Sequence, residues 1–294
     1  MVIMPEADIN GTRMYYRSEG RGIPLIFIHP PVLDSTNFTY QLEQLSDTYR
    51  IITFDMRGHG RSAYSPRKLT YALIADDICA LMDELGLRKA YIAGYSTGGT
   101  IALEALLTYP DRFYGGILLS GLSEASTFVL TSEIRAAIRL SRLRAQRLLT
   151  SAVCAANADS LQTFKRLYST AIQGDIRNQY QYYRESLIYN CTRRLNDIQA
   201  PVLLLYGKQD KALFPYARML REHLPNATMQ FIPGVRHHLP TKAPGKIHEA
   251  MRLWVRLVHP KEAQPENEAA KLPDLPVDES VSSEAERHSS QALH

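Results

Sequence analysis

A serine flanked by small residues is the first candidate for chemistry in this sequence of 294 residues. Ser96 lies in the pentapeptide GYSTG, residues 94–98, after the apolar stretch KAYIAG and before the helical pattern TIALEALLTYP. Small residues two before and two after a serine, at a turn from strand to helix, form a nucleophile elbow that holds the hydroxyl exposed. The first N–H groups of the following helix point at the reacting centre, so we predict that Thr97 N–H donates to an oxyanion.

A serine at its ordinary pKa is a poor nucleophile, so this chemistry needs a base and an orienting acid. Asp210 follows the apolar stretch PVLLLYG, and the adjacent residues His237 and His238 follow MQFIPG. The order Ser, Asp, His, with each residue at the carboxyl end of a strand, predicts a catalytic triad. Chemistry alone leaves the two histidines open, because either could reach Ser96 while the other packs or meets solvent.

The elements that must position these residues alternate along the chain. Asn10-Gly11 marks the turn of a hairpin, and apolar runs at 25–28, 50–54 and 90–93 indicate strands. Apolar residues spaced by three and four predict helices between them, as in TYALIADDICALMDELGL, which ends at Gly86. We therefore predict an α/β fold with a doubly wound, mostly parallel sheet and with ligands beyond the carboxyl ends of its strands.

Four motifs resemble those of a known family: FDMRGHGRS at 54–62, AGYSTGG at 93–99, YGKQD at 206–210 and PGVRHHLP at 233–240. With them the chain is similar to the α/β-hydrolase fold superfamily, in the branch of small serine esterases, lactonases and cofactor-free haloperoxidase-like proteins. In that family the catalytic histidine is the third residue after the glycine of a Pro-Gly pair, which implies His237. The resemblance also implies that Arg57, His59 and Arg61 shape the scaffold, and that no metal or organic cofactor is needed.

The segment after the first parallel strand departs from the family pattern. Most relatives have His-Gly there, followed by a residue whose backbone N–H is the second oxyanion donor, whereas this chain has Pro30 and Pro31, which lack an N–H. Either the turn is rebuilt so that Val32 N–H faces the oxyanion, or Thr97 N–H is the only main-chain donor. A third reading is that the prolines merely stiffen a loop. We favour Val32. Three nearby residues are expected to contact the substrate: His29, Pro31 and Tyr95.

Residues 123–197 stand between two strands where the basic fold needs only a connection. Their pattern is helical, and insertions at this point resemble the cap domain of the family, which covers the nucleophile and sets the substrate range. Five tyrosines either contact an aromatic or acyl group or hold the helices together: Tyr168, Tyr180, Tyr182, Tyr183 and Tyr189. The arginine-rich helix at 134–149 could lie on an anionic membrane, but its apolar face lacks Trp and Phe anchors, so we favour packing in the cap.

The sequence divides into four predicted parts. Residues 1–122 and 198–260 form the two halves of the hydrolase core, and residues 123–197 form the helical cap. Residues 261–294 carry eight acids, three Lys or Arg and no aromatic residue. Such a segment buries too little apolar surface to offset ordering, so we predict a disordered acidic tail.

Composition limits the function classes. Without residues 261–294 the chain has 31 Lys or Arg against 22 Asp or Glu, a net charge of +9, and eleven of these bases lie in residues 123–197. No nucleic-acid-binding motif accompanies them, so they indicate a solvated helical face or a field that steers an anionic substrate. No apolar run is long enough for a membrane span, the amino terminus lacks the apolar run of a signal peptide, and we predict a cytoplasmic protein. The three cysteines show neither metal spacing nor a disulfide framework.

These features predict a serine hydrolase that cleaves a carboxylic ester, lactone or thioester through an acyl-enzyme on Ser96. His237 would take the serine proton and Asp210 would orient the imidazole. Its partner is a small ester-like molecule, without nucleic acid. The alternatives are a receptor-like member of the fold that binds a ligand with little turnover, and a carbon–carbon bond hydrolase or perhydrolase.

Overall fold

An eight-stranded sheet runs through the part of the chain that the computed structural model describes, residues 5–259. The strands are β1 (Glu6–Ile9), β2 (Thr12–Glu19), β3 (Pro24–Ile28), β4 (Arg50–Phe54), β5 (Ala90–Tyr95), β6 (Phe113–Leu119), β7 (Val202–Gly207) and β8 (Ala227–Ile232). β2 pairs antiparallel with β1 and β4, and the other neighbours are parallel. The order β1-β2-β4-β3-β5-β6-β7-β8 confirms the predicted doubly wound sheet.

Helices connect the strands and cover both faces of the sheet. They are α1 (Thr39–Leu45), α2 (Tyr71–Glu84), α3 (Thr97–Thr108), α4 (Phe128–Arg142), α5 (Gln146–Asn157), α6 (Leu161–Ala171), α7 (Ile176–Ile188), α8 (Phe214–His223), α9 (Leu239–Lys242) and α10 (Pro244–Val258). Short 3-10 turns lie at Ser35–Phe38, Pro110–Arg112, Thr192–Asp197 and Lys211–Leu213.

Local turn chemistry agrees with the sequence. Asn10 and Gly11 have φ of 48° and 74°, the left-handed pair that a tight hairpin between β1 and β2 requires. Gly86, just after α2, has φ of 65°, as a glycine at a helix carboxyl end does. Both predicted boundaries are therefore confirmed.

Two apolar cores lie on opposite faces of the sheet. In β3, Ile26 and Ile28 belong to the core that includes side chains of α2 and α3, whereas Leu25 and Phe27 belong to the core that includes side chains of α1 and α10. Successive side chains of a strand point to opposite faces. Because both faces are covered, the central strands appear in the sequence as continuous apolar runs.

Helices α4 to α7 lie between β6 and β7, within the predicted insertion at 123–197. Polar bonds join them to the loop after β4. Asp175 N–H donates to the Gly58 carbonyl at 2.8 Å, and the Asn178 side chain makes two hydrogen bonds with the backbone of Ser65, at 3.1 and 3.0 Å. The division of the chain into core and cap domains stays a prediction.

Three sequence predictions concern the chain as a whole. No helix within residues 5–259 is long and apolar enough to cross a membrane. Cys79, Cys154 and Cys191 are free, buried thiols. The predicted tail, residues 261–294, lies outside the described residues, and the cytoplasmic location stays a prediction.

Candidate active site

The turn between β5 and α3 holds Ser96 in a strained conformation. Its φ of 54° is uncommon for a residue other than glycine. A Cβ atom at Gly94 would lie 2.2 Å from the carbonyl oxygen of Gly98, and one at Gly98 would lie 2.3 Å from that of Ile28. The turn therefore needs glycine at both positions, and it seats the serine beside the carboxyl end of β3.

Ser96, Asp210 and His237 meet at the carboxyl ends of β5, β7 and β8. His237 Nε2 lies 3.0 Å from Ser96 Oγ, and His237 Nδ1 lies 3.1 Å from Asp210 Oδ2. When Nδ1–H donates to the carboxylate, Nε2 presents its lone pair to the serine hydroxyl, which donates. The structure thus brings together the three residues selected from the sequence, in an arrangement that can activate a hydroxyl.

His238 does not reach the serine or the carboxylate. Its ring packs edge-on against that of His237, with 5.5 Å between centroids, and it lines the cavity beside Ser96. Burial and the neighbouring His237 lower the pKa of His238 to about 4, so the ring is neutral at pH 7. Of the two histidines that chemistry left open, the geometry selects His237 for contact with the serine.

The backbone of the His237 segment is held by contacts at the ends of β6 and β7 and at the start of α9. Ser120 Oγ and Leu239 N–H both donate to the His237 carbonyl, at 3.1 and 2.9 Å. At the end of β7, a Cβ atom on Gly207 would lie 2.1 Å from the carbonyl oxygen of Arg236. Sequence reasoning missed Ser120, because its bond joins positions 117 residues apart and leaves no local pattern.

The two predicted oxyanion donors lie at the start of α3 and in the loop after β3. Thr97 is the first residue of α3, so its N–H has no partner within the helix. Val32 has φ of 73°, which is rare for a β-branched residue. Thr97 lies in the wall of the cavity beside Ser96, whereas Val32 is fully buried and does not lie in that wall. The structure therefore brings Thr97 to the cavity but not Val32, whose role as an oxyanion donor stays a prediction.

A cavity of about 630 Å³ has Ser96, Asp210 and His237 in its wall. Most of its remaining wall is apolar and comes from two helices of the insertion. The larger side chains are Leu130, Ile134 and Leu140 of α4, with Leu149 and Val153 of α5. Such a wall suits an apolar group attached to the reacting carbonyl.

Of the three residues expected to contact the substrate, Pro31 and Tyr95 lie in the cavity wall. The structure does not bring His29 there. The His29 side chain is fully buried, donates through Nδ1–H to the Pro30 carbonyl at 2.9 Å, and accepts Met56 N–H at Nε2 at 3.0 Å. Burial lowers its pKa to about 4. A neutral ring with both nitrogens bonded to backbone holds the loop and does not touch the cavity.

Comparison with models of known protein families adds an independent observation to this geometry. Residues 23–243 match the model of the α/β-hydrolase fold, a stretch that includes Ser96, Asp210 and His237. The chain belongs to the α/β-hydrolase fold family. The resemblance inferred from four short motifs is therefore confirmed, and membership of this family supports a hydrolase activity.

Individual relatives of this α/β hydrolase match it over different lengths. A non-heme chloroperoxidase of Streptomyces lividans is 28% identical over 276 residues, which cover 84% of this chain and 97% of that protein. The acetyltransferase component of the acetoin cleaving system of Cupriavidus necator is 33% identical over 115 residues, 39% of this chain. That match spans only 31% of the relative. An esterase from Exiguobacterium antarcticum has the same fold, with a TM-score of 0.78, 20% identity and coverage of 86% of this chain and 100% of the esterase.

The scaffold residues of this α/β hydrolase form buried ion pairs. Arg57 is fully buried and donates twice to the Asp77 carboxylate, at 2.6 Å each. Arg61 donates to Asp55 at 3.0 Å. Removing one partner of such a pair leaves an uncompensated buried charge. These contacts agree with the structural role expected for both arginines.

The tyrosines of the insertion have different surroundings. Tyr183 lines the cavity. Tyr182 donates to the His29 carbonyl at 3.0 Å, and Tyr189 donates to Glu104. The other two contact side chains within the insertion. One of the five thus stands where it can touch a substrate, and the others join elements of the fold.

Asn157, at the end of α5, is a further residue that the sequence did not single out. Its Oδ1 accepts the Tyr95 hydroxyl at 3.1 Å, and its carbonyl accepts the Thr241 hydroxyl. It lies in the cavity wall next to the nucleophile turn. Asn157 therefore joins the insertion to the segments that carry Ser96 and His237.

Proposed function

We propose that this α/β hydrolase cleaves a carboxylic ester, lactone or thioester through an acyl-enzyme on Ser96. The proposal is carried by the two contacts of one imidazole, 3.0 Å from Ser96 Oγ and 3.1 Å from Asp210 Oδ2. These are the contacts that a general base makes with its nucleophile and with its orienting acid. The strained serine backbone and the cavity beside it support the same assignment.

In the acylation step, Ser96 Oγ attacks the carbonyl carbon and its proton passes to His237 Nε2. The Asp210 carboxylate stabilises the imidazolium that forms. The carbonyl oxygen becomes an oxyanion and accepts a hydrogen bond from Thr97 N–H. The proton on His237 then goes to the leaving oxygen or sulfur as its bond to carbon breaks, and the acyl group stays on Ser96.

In the deacylation step, His237 acts on water in the same way. It takes a proton from a water molecule that attacks the acyl carbon, and it returns that proton to Ser96 Oγ as the ester bond breaks. The products are a carboxylic acid and a free serine. The cycle uses the three side chains, the Thr97 N–H donor and water.

The cavity disfavours an anionic substrate and offers an apolar wall to an acyl group. Within the described part of the chain, neither Lys nor Arg lies in its wall, and the wall of α4 and α5 is mostly apolar. The arginines of the insertion therefore do not form an anion site around the reacting carbonyl. The Exiguobacterium protein whose fold this chain shares is described as an esterase, which agrees with the ester hydrolysis proposed here.

A panel of aryl esters with acyl chains of increasing length, a lactone and a thioester tests this proposal. We expect hydrolysis of the esters with apolar acyl groups. In Ser96→Ala the rate should fall by about a thousandfold or more, because both steps use the serine oxygen. Activity that survives this substitution would contradict the proposal.

A receptor-like protein is the second candidate, because Pro30 and Pro31 offer no N–H where relatives have their second oxyanion donor. Loss of one such donor typically costs about a hundredfold to a thousandfold in rate. Ligand binding without hydrolysis of any panel member would favour the receptor.

A further inference from the structure

The arginine-rich helix of the insertion begins earlier than its sequence pattern indicates. Helix α4 starts at Phe128, before the stretch 134–149, and so gains an aromatic side chain that is 82% exposed. Three further apolar side chains of α4, α5 and the turn between them are more than half exposed: Val129, Leu143 and Leu148. Large apolar side chains that are exposed together mark an interaction site on a folded protein.

Five arginines lie among these apolar side chains. Residues 128–148 carry five Arg and one acid, Glu133, which gives a net charge of +4. All five are exposed: Arg135, Arg139, Arg142, Arg144 and Arg147. None of them makes an ion pair with a carboxylate of residues 5–259. We call the four exposed apolar residues and the five arginines together the α4–α5 surface.

The cavity beside Ser96 opens onto the α4–α5 surface. Residues three or four apart share a face of a helix. On α4 one such row runs through Val129, Glu133, Ala136 and Leu140, all in the cavity wall, and reaches Leu143. On α5 the row from Leu148 continues with Ala152 and Ala156, which are also in the wall. Four residues are both exposed and in the wall: Val129, Ala136, Ala152 and Ala156.

We propose that the α4–α5 surface docks this hydrolase on an anionic lipid surface, with the mouth of the cavity facing the lipid. The exposed leucine and phenylalanine side chains enter the acyl region, and the arginines pair with lipid phosphates. An ester dissolved in the membrane then reaches the apolar cavity without crossing water. That last step rests on the proposed function, whereas docking itself does not.

Charge and composition favour a lipid over two other occupants. In a two-fold dimer through this surface, each copy would set its five arginines against those of the other, so like charges would oppose association. The segment 261–294 matches the charge, with eight acids and three Lys or Arg, but it has no aromatic residue with which to cover Phe128. Anionic lipid matches both the charge and the apolar character of the surface.

Co-sedimentation of the full chain with vesicles of phosphatidylcholine, with or without about 30% phosphatidylglycerol, measures docking. Wild type and Ser96→Ala are compared, because docking should not depend on turnover. We expect both proteins to bind the anionic vesicles at least about tenfold more tightly than the neutral ones, since several arginines contribute. Added salt should weaken this binding.

Two pairs of exposed leucines provide a matched comparison. Leu143→Ser with Leu148→Ser should weaken binding to the anionic vesicles by about tenfold or more, because apolar surface no longer enters the lipid. Leu253→Ser with Leu257→Ser, on α10, should change it by less than about twofold. The exposed fractions are similar, 76% and 61% in the first pair against 59% and 72% in the second.

Two pairs of exposed arginines test the charge in the same way. Arg139→Gln with Arg147→Gln should weaken binding to the anionic vesicles by about tenfold or more. Arg21→Gln with Arg88→Gln removes the same charge just before β3 and β5, at the edge of the sheet opposite Ser96, and should have less than about twofold effect.

Hydrolysis gives a second measurement of docking. The residues substituted on the α4–α5 surface do not lie in the cavity wall. Leu143→Ser with Leu148→Ser should therefore lower the rate on a long-chain aryl ester held in anionic vesicles by about tenfold, and leave the rate on a soluble aryl acetate within about twofold of wild type.

Four results would overturn the inference. They are equal vesicle binding by the two leucine variants, equal binding of wild type to neutral and anionic vesicles, a dimer in sedimentation that Leu143→Ser with Leu148→Ser dissociates, and vesicle binding that requires deletion of residues 261–294. Docking without hydrolysis of any ester would contradict only the proposed function. Hydrolysis of soluble esters without docking would contradict only this inference.

Discussion

At the scale of single residues, the adjacent histidines His237 and His238 make different contacts. His237 touches both Ser96 and Asp210, whereas His238 has a ring contact with His237 and a place in the cavity wall. With a pKa lowered to about 4, His238 is a poor acceptor for a proton at pH 7. The proposed base and its neighbour therefore differ in both geometry and proton affinity.

His237→Ala and His238→Ala should have very different effects on turnover. Loss of His237 should lower kcat by about a thousandfold or more, nearly as much as Ser96→Ala, because the serine proton has no other acceptor. His238→Ala should keep kcat within about tenfold of wild type. Steady-state kinetics on one aryl ester, with Tm measured for both variants, checks this ranking. The reverse order would assign the base to His238.

At the scale of elements, local constraints decided what could be predicted from the sequence. The turn around Ser96 could be predicted because it needs glycine at positions 94 and 98. A Cβ atom at Gly94 or Gly98 would lie too close to backbone atoms. The strands could be predicted because both faces of the sheet are covered, so the residues of the central strands form continuous apolar runs. The bonds of Tyr182 to His29 and of Tyr95 to Asn157 were not predicted, since they join positions 153 and 62 residues apart.

If the proposed reaction is correct, helices α4 and α5, which line the cavity, should limit the size of the acyl group. Ala152 of α5 lies in the cavity wall, whereas the nearby Ala155 does not. We expect Ala152→Leu to lower kcat/KM for long-chain acyl esters by about tenfold, with little change for acetate esters, because the new side chain occupies the volume of the distal acyl carbons. Ala155→Leu is the matched control on the same helix. Equal effects of both variants at every chain length would contradict this role of α5.

At the scale of the whole molecule, buried histidines link stability to pH. Burial lowers the pKa of His29 and of His248 to about 4, and burial together with His29 lowers that of His59 to about 3. These rings are neutral in the folded protein and take up protons on unfolding below pH 6.5, their ordinary pKa. The contribution of these histidines to the free energy of unfolding is complete above pH 6.5 and is lost as the pH falls towards 4.

Acids whose pKa values are raised by burial oppose this trend, and Asp77 and Glu185 are among them. Burial and the Asp55 carboxylate raise the pKa of Asp34 to about 7, so this group favours the folded state at low pH and loses that contribution as the pH rises towards 7. The four histidines with lowered pKa values, His238 among them, outnumber these three acids. The free energy of unfolding should therefore fall as the pH drops from 6.5 to 4, by about 1.4 kcal/mol per pH unit for each net proton.

Urea unfolding at several pH values, followed by tryptophan fluorescence, measures this slope. His248→Leu should reduce the slope by about one proton, or 1.4 kcal/mol per pH unit. The Gln41 amide keeps its bond to the Pro240 carbonyl in this variant, which limits other effects. A slope that is unchanged in His248→Leu, or stability that rises as the pH falls, would contradict the assignment.

The central claim is that Ser96 is a nucleophile activated by His237. The most direct measurement is labelling with a fluorophosphonate probe, followed by mass spectrometry of the modified peptide. The account predicts a single adduct on Ser96, with a labelling rate that falls by about a hundredfold or more in His237→Ala. Absence of an adduct on Ser96 in folded wild-type protein, or labelling that is indifferent to His237→Ala, would contradict it.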